Sequence, residues 1–175
     1  MMKKQLLTNI LIFIFSISLF SVNGQDEIKP IDDFRGIAWG TMKKDAKFKD
    51  GTEPVWSPVT ETATISIYTA TNDDNNIGSV ELEDVFYYFH NEAGLYKVII
   101  KGLGSQNDEM DAMLKRRLGS DFRNVYNSTN AHMIWEMDDM IVDYMEHFSK
   151  DFQLTIESNA IAEAKAKMNR NIEDF

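Results

Sequence analysis

The chain has no cysteine among its 175 residues. That excludes disulfides, a thiol nucleophile and any thiolate metal site, so the core must supply the stability of the fold. Basic residues are also scarce, with 18 Lys and Arg against 28 Asp and Glu and a net charge of −10. Such a surface repels the phosphates of nucleic acid and anionic lipid, and neither is expected as a partner. The most apolar stretch, Ile10 to Phe20, falls well short of the ~20 residues a membrane span needs. Neither a Gly-x-Ser-x-Gly elbow nor a His-Glu-x-x-His pattern occurs, which removes two common signatures of nucleophilic and zinc hydrolysis.

What is present begins with a leader. Lys3 and Lys4 precede the apolar stretch, and Val22 and Gly24 are small enough for a signal peptidase, so a signal peptide is expected over residues 1–24. Export to the periplasm or beyond follows, with no stable membrane insertion after cleavage. Loss of the two lysines makes the remainder more acidic still. A polar lead-in over 25–33 precedes a domain over 34–158, and 159–175 reads as an Ala-rich C-terminal helix with Ile161, Ala164 and Met168 on one side.

The strongest local signal is Val85 to Lys101, two β-prone runs joined by Asn91, Glu92 and Gly94, which predicts a central hairpin with Gly94 at positive φ. Further strands are expected over 62–70, 131–137, 140–148 and 152–158, while 51–58 reads as a loop. Thr41 is placed as the cap of a helix from Met42 to Phe48. Ser105 is placed as the cap of a second helix, with Met110, Met113, Leu114 and Leu118 on one face and Gly119 at its end. The expected class is α+β, an antiparallel sheet with helices packed on one face. The order admits a tandem helix-plus-meander duplication: a shift of 57 residues lays Val85, Tyr87, His90, Leu95 and Ile99 on Val142, Tyr144, His147, Phe152 and Ile156.

The Phe-x-Gly-x-x-Trp-Gly-Thr start at Phe34 to Thr41, the short helix, the hairpin and a helix ending in Leu-Gly resemble a group of small exported bacterial proteins of unknown function. At the level of architecture, the repeated helix and meander are similar to β-lactamase inhibitory proteins and to small lipoproteins of outer-membrane assembly. The resemblance brings no activity, and no lipid-bearing Cys follows the apolar run.

Several clusters invite chemistry and are outweighed by simpler roles. Asn72 to Asn76 is rich in hard oxygen ligands, but in either register Ile77 stands where the calcium loop needs a glycine or a ligand. His90, His132 and His147 lack zinc spacing. Met133, Met137, Met140 and Met145 near His132 and His147 would suit Cu(I), yet strand alternation divides them between faces. Lys43, Lys44, Lys47 and Lys49 read as the wet face of the short helix. No catalytic residue, metal or cofactor is therefore assigned.

The aromatics Trp39, Trp56, Tyr68, Tyr87, Tyr88, Tyr96 and Trp135 exceed what a sheet covered on one face would hide, and exposed aromatics on a sheet mark recognition surfaces. The leading expectation is a non-catalytic binding domain that takes a protein or peptide through Tyr87, Tyr88, Tyr68 and Trp135. The alternative is an envelope hydrolase using a carboxylate pair, such as Asp138 with Asp139 or Glu81 with Glu83.

Overall fold

The computed structural model describes residues 31–147 and 151–159. The expected leader, most of the expected lead-in and all but the first residue of the expected terminal helix lie outside them. A two-stranded hairpin, β1 (Asp33–Phe34) and β2 (Ile37–Ala38), opens the domain. There follow β3 (Trp56–Glu61), β4 (Ile65–Ala70), β5 (Asn76–Ile77), β6 (Val80–His90) and β7 (Gly94–Leu103), then helix α1 (Asn107–Leu118). The second half is β8 (Arg123–Tyr126), β9 (Asn130–Glu136), β10 (Met140–His147) and β11 (Asp151–Ser158). Among the described residues no helix is long and apolar enough to cross a membrane.

All but β1 and β2 form one nine-stranded antiparallel sheet of order β3-β4-β6-β7-β11-β10-β9-β8, with β5 paired to β6. This order is two four-stranded meanders whose last strands meet in the middle. The central pairing sets Ile99 opposite Thr155. The 57-residue shift describes the halves as far as the turn, where Phe89 faces Leu95 and Glu146 faces Phe152. Beyond it β7 carries one extra residue, Tyr96, at a β-bulge, and the shift becomes 56. Ile99 therefore faces outward, opposite Thr155, while Ile156 faces the core opposite Val98.

One continuous core lies on a single sheet face. Val85, Tyr87 and Phe89 from β6, Val98 and Ile100 from β7, Leu154 and Ile156 from β11, and Val142 and Tyr144 from β10 all point into it. Met110, Leu114 and Leu118 of α1 cover the second half, burying a helix stripe of the expected spacing. Over the first half no α-helix forms among the described residues. The segment expected to be helical makes a single 3-10 turn at Lys43–Asp45, with no side-chain cap at Met42. Its backbone has better partners than its own next turn: Lys49 N–H donates to Arg35 O at 2.9 Å and Phe48 N–H to Thr52 O at 2.9 Å. Ala46 and Phe48 then reach inward from an extended chain with Lys47 exposed between them, the period-2 pattern rather than the helical one.

Other local corrections follow from the same accounting of backbone bonds. Ser105 does not cap α1; a 3-10 turn over Gly104–Gln106 leads into the helix and Gln106 makes no side-chain cap bond. Residues 56–58, expected in a loop, begin the edge strand β3, where Pro58 faces Tyr68 without needing a ladder donor. Gly94 adopts φ 73°, and a Cβ there would lie 2.2 Å from Gly40 O. That contact accompanies backbone bonds from Gly40 N–H to Leu95 O and from Leu95 N–H to Thr41 O, which fasten the N-terminal segment onto the central hairpin.

Candidate functional site

Three places combine polar chemistry with definite geometry, and the first explains the acidic loop. Asp73 is held by the Arg35 guanidinium, which also donates to the carbonyls of Asp74 and Asn76. Tyr87 donates its hydroxyl to the other Asp73 oxygen at 2.5 Å. The oxygens that the sequence offers to a hard cation are thus gathered around a guanidinium. Arg35 itself sits at φ 57° beside Gly36 at φ 91°, the two-residue turn of the β1-β2 hairpin. A non-glycine side chain there costs roughly 1–2 kcal/mol, offset by these charged hydrogen bonds. Burial, followed by the Asp73 charge, pushes the Tyr87 phenol well above its ordinary range. The network is structural: it ties the hairpin, the Asn72–Asn76 loop and β6 together.

The second place is a cleft of about 380 Å³ between the start of α1 and strands β8 to β10. Asp108, Asp111, Glu146 and the Tyr144 side chain border it, with Phe122 and Met133 as apolar wall. Asn107 Nδ2 donates to Glu146 Oε1 at 2.8 Å, and Lys115 Nζ pairs with Asp111 Oδ2 at 2.8 Å. Asn107 Oδ1 and Asp111 Oδ1 are buried with no partner, so the cleft is rich in acceptors and suits a donor-bearing or cationic group rather than an anion. The pairs singled out for acid and base work lie elsewhere: Asp138, Asp139, Glu81 and Glu83 are all exposed.

The third place is the sheet face opposite the core. Ile67, Phe86, Tyr88, Ile99, Ile134, Ile141 and Met145 lie on it by register. The buried residues of β1, β2 and α1 all belong to the core on the other side. Lys97 lies over both Tyr88 and Tyr96, 5.8 and 5.7 Å from their ring centres, and pairs with Glu157 at 2.6 Å. Lys101 lies 5.3 Å from the Phe86 ring centre. The centre of the face is therefore an aromatic and aliphatic surface with lysine stems packed along it.

Of the four residues expected to recognise a partner, the structure puts one on this face. Tyr88 is half-buried there, whereas Tyr87, Trp135 and Tyr68 point into the core at 0%, 2% and 4% exposure. Tyr87 and Tyr68 are hidden by aromatic neighbours and the N-terminal segment, whereas Trp135 lies under the end of α1, donating Nε1 to Gly119 O at 3.0 Å. Trp56 packs edge-on against Tyr87 and Phe89 at 5.2 and 5.3 Å, Phe34 meets Tyr87 at 5.8 Å, and Phe122 meets Trp135 at 5.1 Å. Phe86, Ile99 and Lys97 were not singled out from the sequence. Their alternation with Val85, Tyr87 and Val98 was the signal that could have found them.

Metal chemistry gains no geometry: among the described residues no three His, Asp or Glu side chains converge as a ligand set. His132 and Met145 face each other on the outer side, while Met133 and Met140 point inward. His132 Nδ1 lies 3.0 Å from Asp143 Oδ1.

No family model and no curated protein matches the chain. Among solved structures, a GTP binding regulator from Thermotoga maritima shares 11% identity at a TM-score of 0.37, over 62% of this chain and 71% of that one. Likeness at that level carries neither fold nor function across.

Proposed function

We propose that this is an exported, non-catalytic binding domain that recognises a protein or peptide through the outer face of its sheet. Export rests on the leader-like residues 1–24. Recognition rests on one observation: Tyr88, Phe86, Ile99 and Lys97 sit together at the middle of a broad sheet, on the face to which α1 and the β1-β2 hairpin contribute no buried residue. Aromatic rings backed by rigid strands lose little entropy on binding, which is why they anchor interfaces. The proposal replaces Tyr87, Tyr68 and Trp135 by Tyr88 and its neighbours. Capture of envelope proteins of the producing cell on the immobilised chain tests it. Tyr88→Ser and Ile99→Ser should abolish the capture while Tyr126→Ser, at an exposed site on the far edge, leaves it; equal capture by all three variants would sink the reading.

A second reading, a hydrolase of the cell envelope, draws on the carboxylates that border the α1 cleft. Its test is whether any hydrolytic activity of the chain is lost in Glu146→Gln and Asp108→Asn.

A further inference from the structure

We infer that β8 is an open edge onto which a partner protein pairs an extended segment as a further antiparallel strand, with Lys or Arg side chains of that segment entering the cleft beside α1. The site is separate from the outer face and does not depend on it. Among the described strands, β8 ends the sheet on one side and β3 on the other. The β3 edge carries Pro58 and a bulge between Pro58 and Thr60, two devices that stop another strand from pairing. The β8 edge carries neither, and Arg123 to Tyr126 run in unbroken register against Ile134 to Ala131. Asn127 N–H donates to Asn130 O at 3.0 Å and closes the β8-β9 hairpin. Bonded and unbonded pairs alternate along an antiparallel ladder. Arg123 and Val125 therefore bond to β9, while Asn124 and Tyr126 turn their backbone groups to the open edge.

The same two residues turn their side chains to the cleft. Asn124 lies opposite Met133, which packs on the core, and Tyr126 is next on that face. Tyr126 is 71% exposed, so a strand added there would cover it. α1 runs along this edge: Lys115 Nζ lies 5.4 Å from the Phe122 ring centre, and Asp111 and Asp108 follow at successive turns towards the helix start. Three carboxylates, Asp108, Asp111 and Glu146, thus border the cleft against the single ammonium of Lys115. After burial, all three raise the Tyr144 phenol, so their fields meet in one place. In an added antiparallel strand, the residues that bond to Asn124 and Tyr126 are those whose side chains point into the cleft. The backbone then supplies affinity and the cleft selects a cation. A second copy of the chain fits poorly, because its own β8 would bring Asn124 and Tyr126 to the cleft and no positive charge.

The probe is a short fluorescein-labelled peptide alternating Lys with Thr, titrated into the full chain and followed by anisotropy. Saturable binding is expected. Methylating the backbone nitrogens of the Lys residues should weaken it at least roughly tenfold, whereas methylating those of the Thr residues should leave it unchanged, because only the first set faces β8. Asp108→Asn with Glu146→Gln should weaken it at least roughly fivefold, thermal melts confirming that this variant is folded. Tyr88→Ser and Ile99→Ser should bind the peptide as the wild type does. Four results would overturn the inference: no saturable binding, equal effects of the two methylations, no effect of removing the carboxylates, or loss of binding in Tyr88→Ser. Saturating the immobilised chain with this peptide keeps partners of β8 out of the outer-face capture, so each reading can fail alone.

Discussion

Tyr87 reaches across the core edge to donate its hydroxyl to Asp73 Oδ2 at 2.5 Å, while Arg35 binds the other oxygen of the same carboxylate. The Asp73 side chain is only 5% exposed, so the carboxylate depends on both partners for the solvation it has lost. Arg35→Ala leaves a buried, half-satisfied charge and should cost about 3 to 5 kcal/mol in urea unfolding. Tyr87→Phe removes one donor and should cost about 1 to 3 kcal/mol. Should Arg35→Ala cost no more than an ordinary surface change, the network does not hold the loop.

The guanidinium also fills the place a cation would need. Calcium at millimolar concentration, or a chelator, should leave the melting temperature of the wild-type chain unchanged. A rise of several degrees on adding calcium would mean that the Asn72–Asn76 loop can exchange arginine for metal.

Stability should fall in alkali for a definable reason. Burial raises the phenols of Tyr87, Tyr144 and Tyr96 above their ordinary value of 10.0, with Asp73, Glu146 and Glu157 respectively adding to the effect. A group whose folded pKa is raised contributes stability that is complete below the unfolded pKa and is lost as pH rises towards the folded one. Stability should thus be insensitive to these tyrosines below pH ~10 and decline above it. Absorbance near 295 nm, followed with the melting temperature, should show the late-titrating phenols ionising together with unfolding. Tyr144→Phe should flatten the decline.

The two faces of β6 should respond differently to truncation. Phe89, at 3% exposure, packs against Trp56 and Tyr68, and Phe89→Ala should cost about 3 to 5 kcal/mol. Phe86 is half-buried on the other side, and Phe86→Ala should cost clearly less. Equal losses would mean that both faces are equally covered and would remove the open recognition surface.

Gly94→Ala tests the join between the N-terminal segment and the hairpin. It asks a side chain to accept φ 73° and to occupy a point 2.2 Å from Gly40 O, and should destabilise by roughly 3 kcal/mol or more. At Gly102 a Cβ would instead meet the Phe152 ring at 2.4 Å, an overpacking expected to cost about 1 to 3 kcal/mol.

The β-strands were legible because their alternation is strong: β4, β6, β7, β9, β10 and β11 lie where Ile65, Val85, Val98, Trp135, Val142 and Leu154 announce them. The turn at Gly94 was equally plain. The cover of the first half was not, because Met42 to Phe48 has helical composition and only the distant carbonyls of Arg35 and Thr52 decide against a helix. Edge strands β3 and β8 carry too few inward residues to show a period. For the candidate site, alternation sets Tyr87 and Tyr88 on opposite faces without saying which is inward, so both stand with Tyr68 and Trp135 as candidates. Burial in this sheet depends on parity along the strand, which Tyr87 and Tyr88 show as immediate neighbours on opposite faces.

The pairing of Ile99 with Thr155 at the seam between the meanders has a consequence for how such a sheet can arise. An antiparallel pair centred on one residue of each strand is the arrangement that a two-fold dimer makes with itself. A chain consisting of the first meander alone would end in β7 with an open edge that is its own complement, and two copies could zip along it with Ile99 facing Ile99. The single chain has that dimer's geometry with its symmetry relaxed, which lets one half keep a helix as its cover and the other a hairpin.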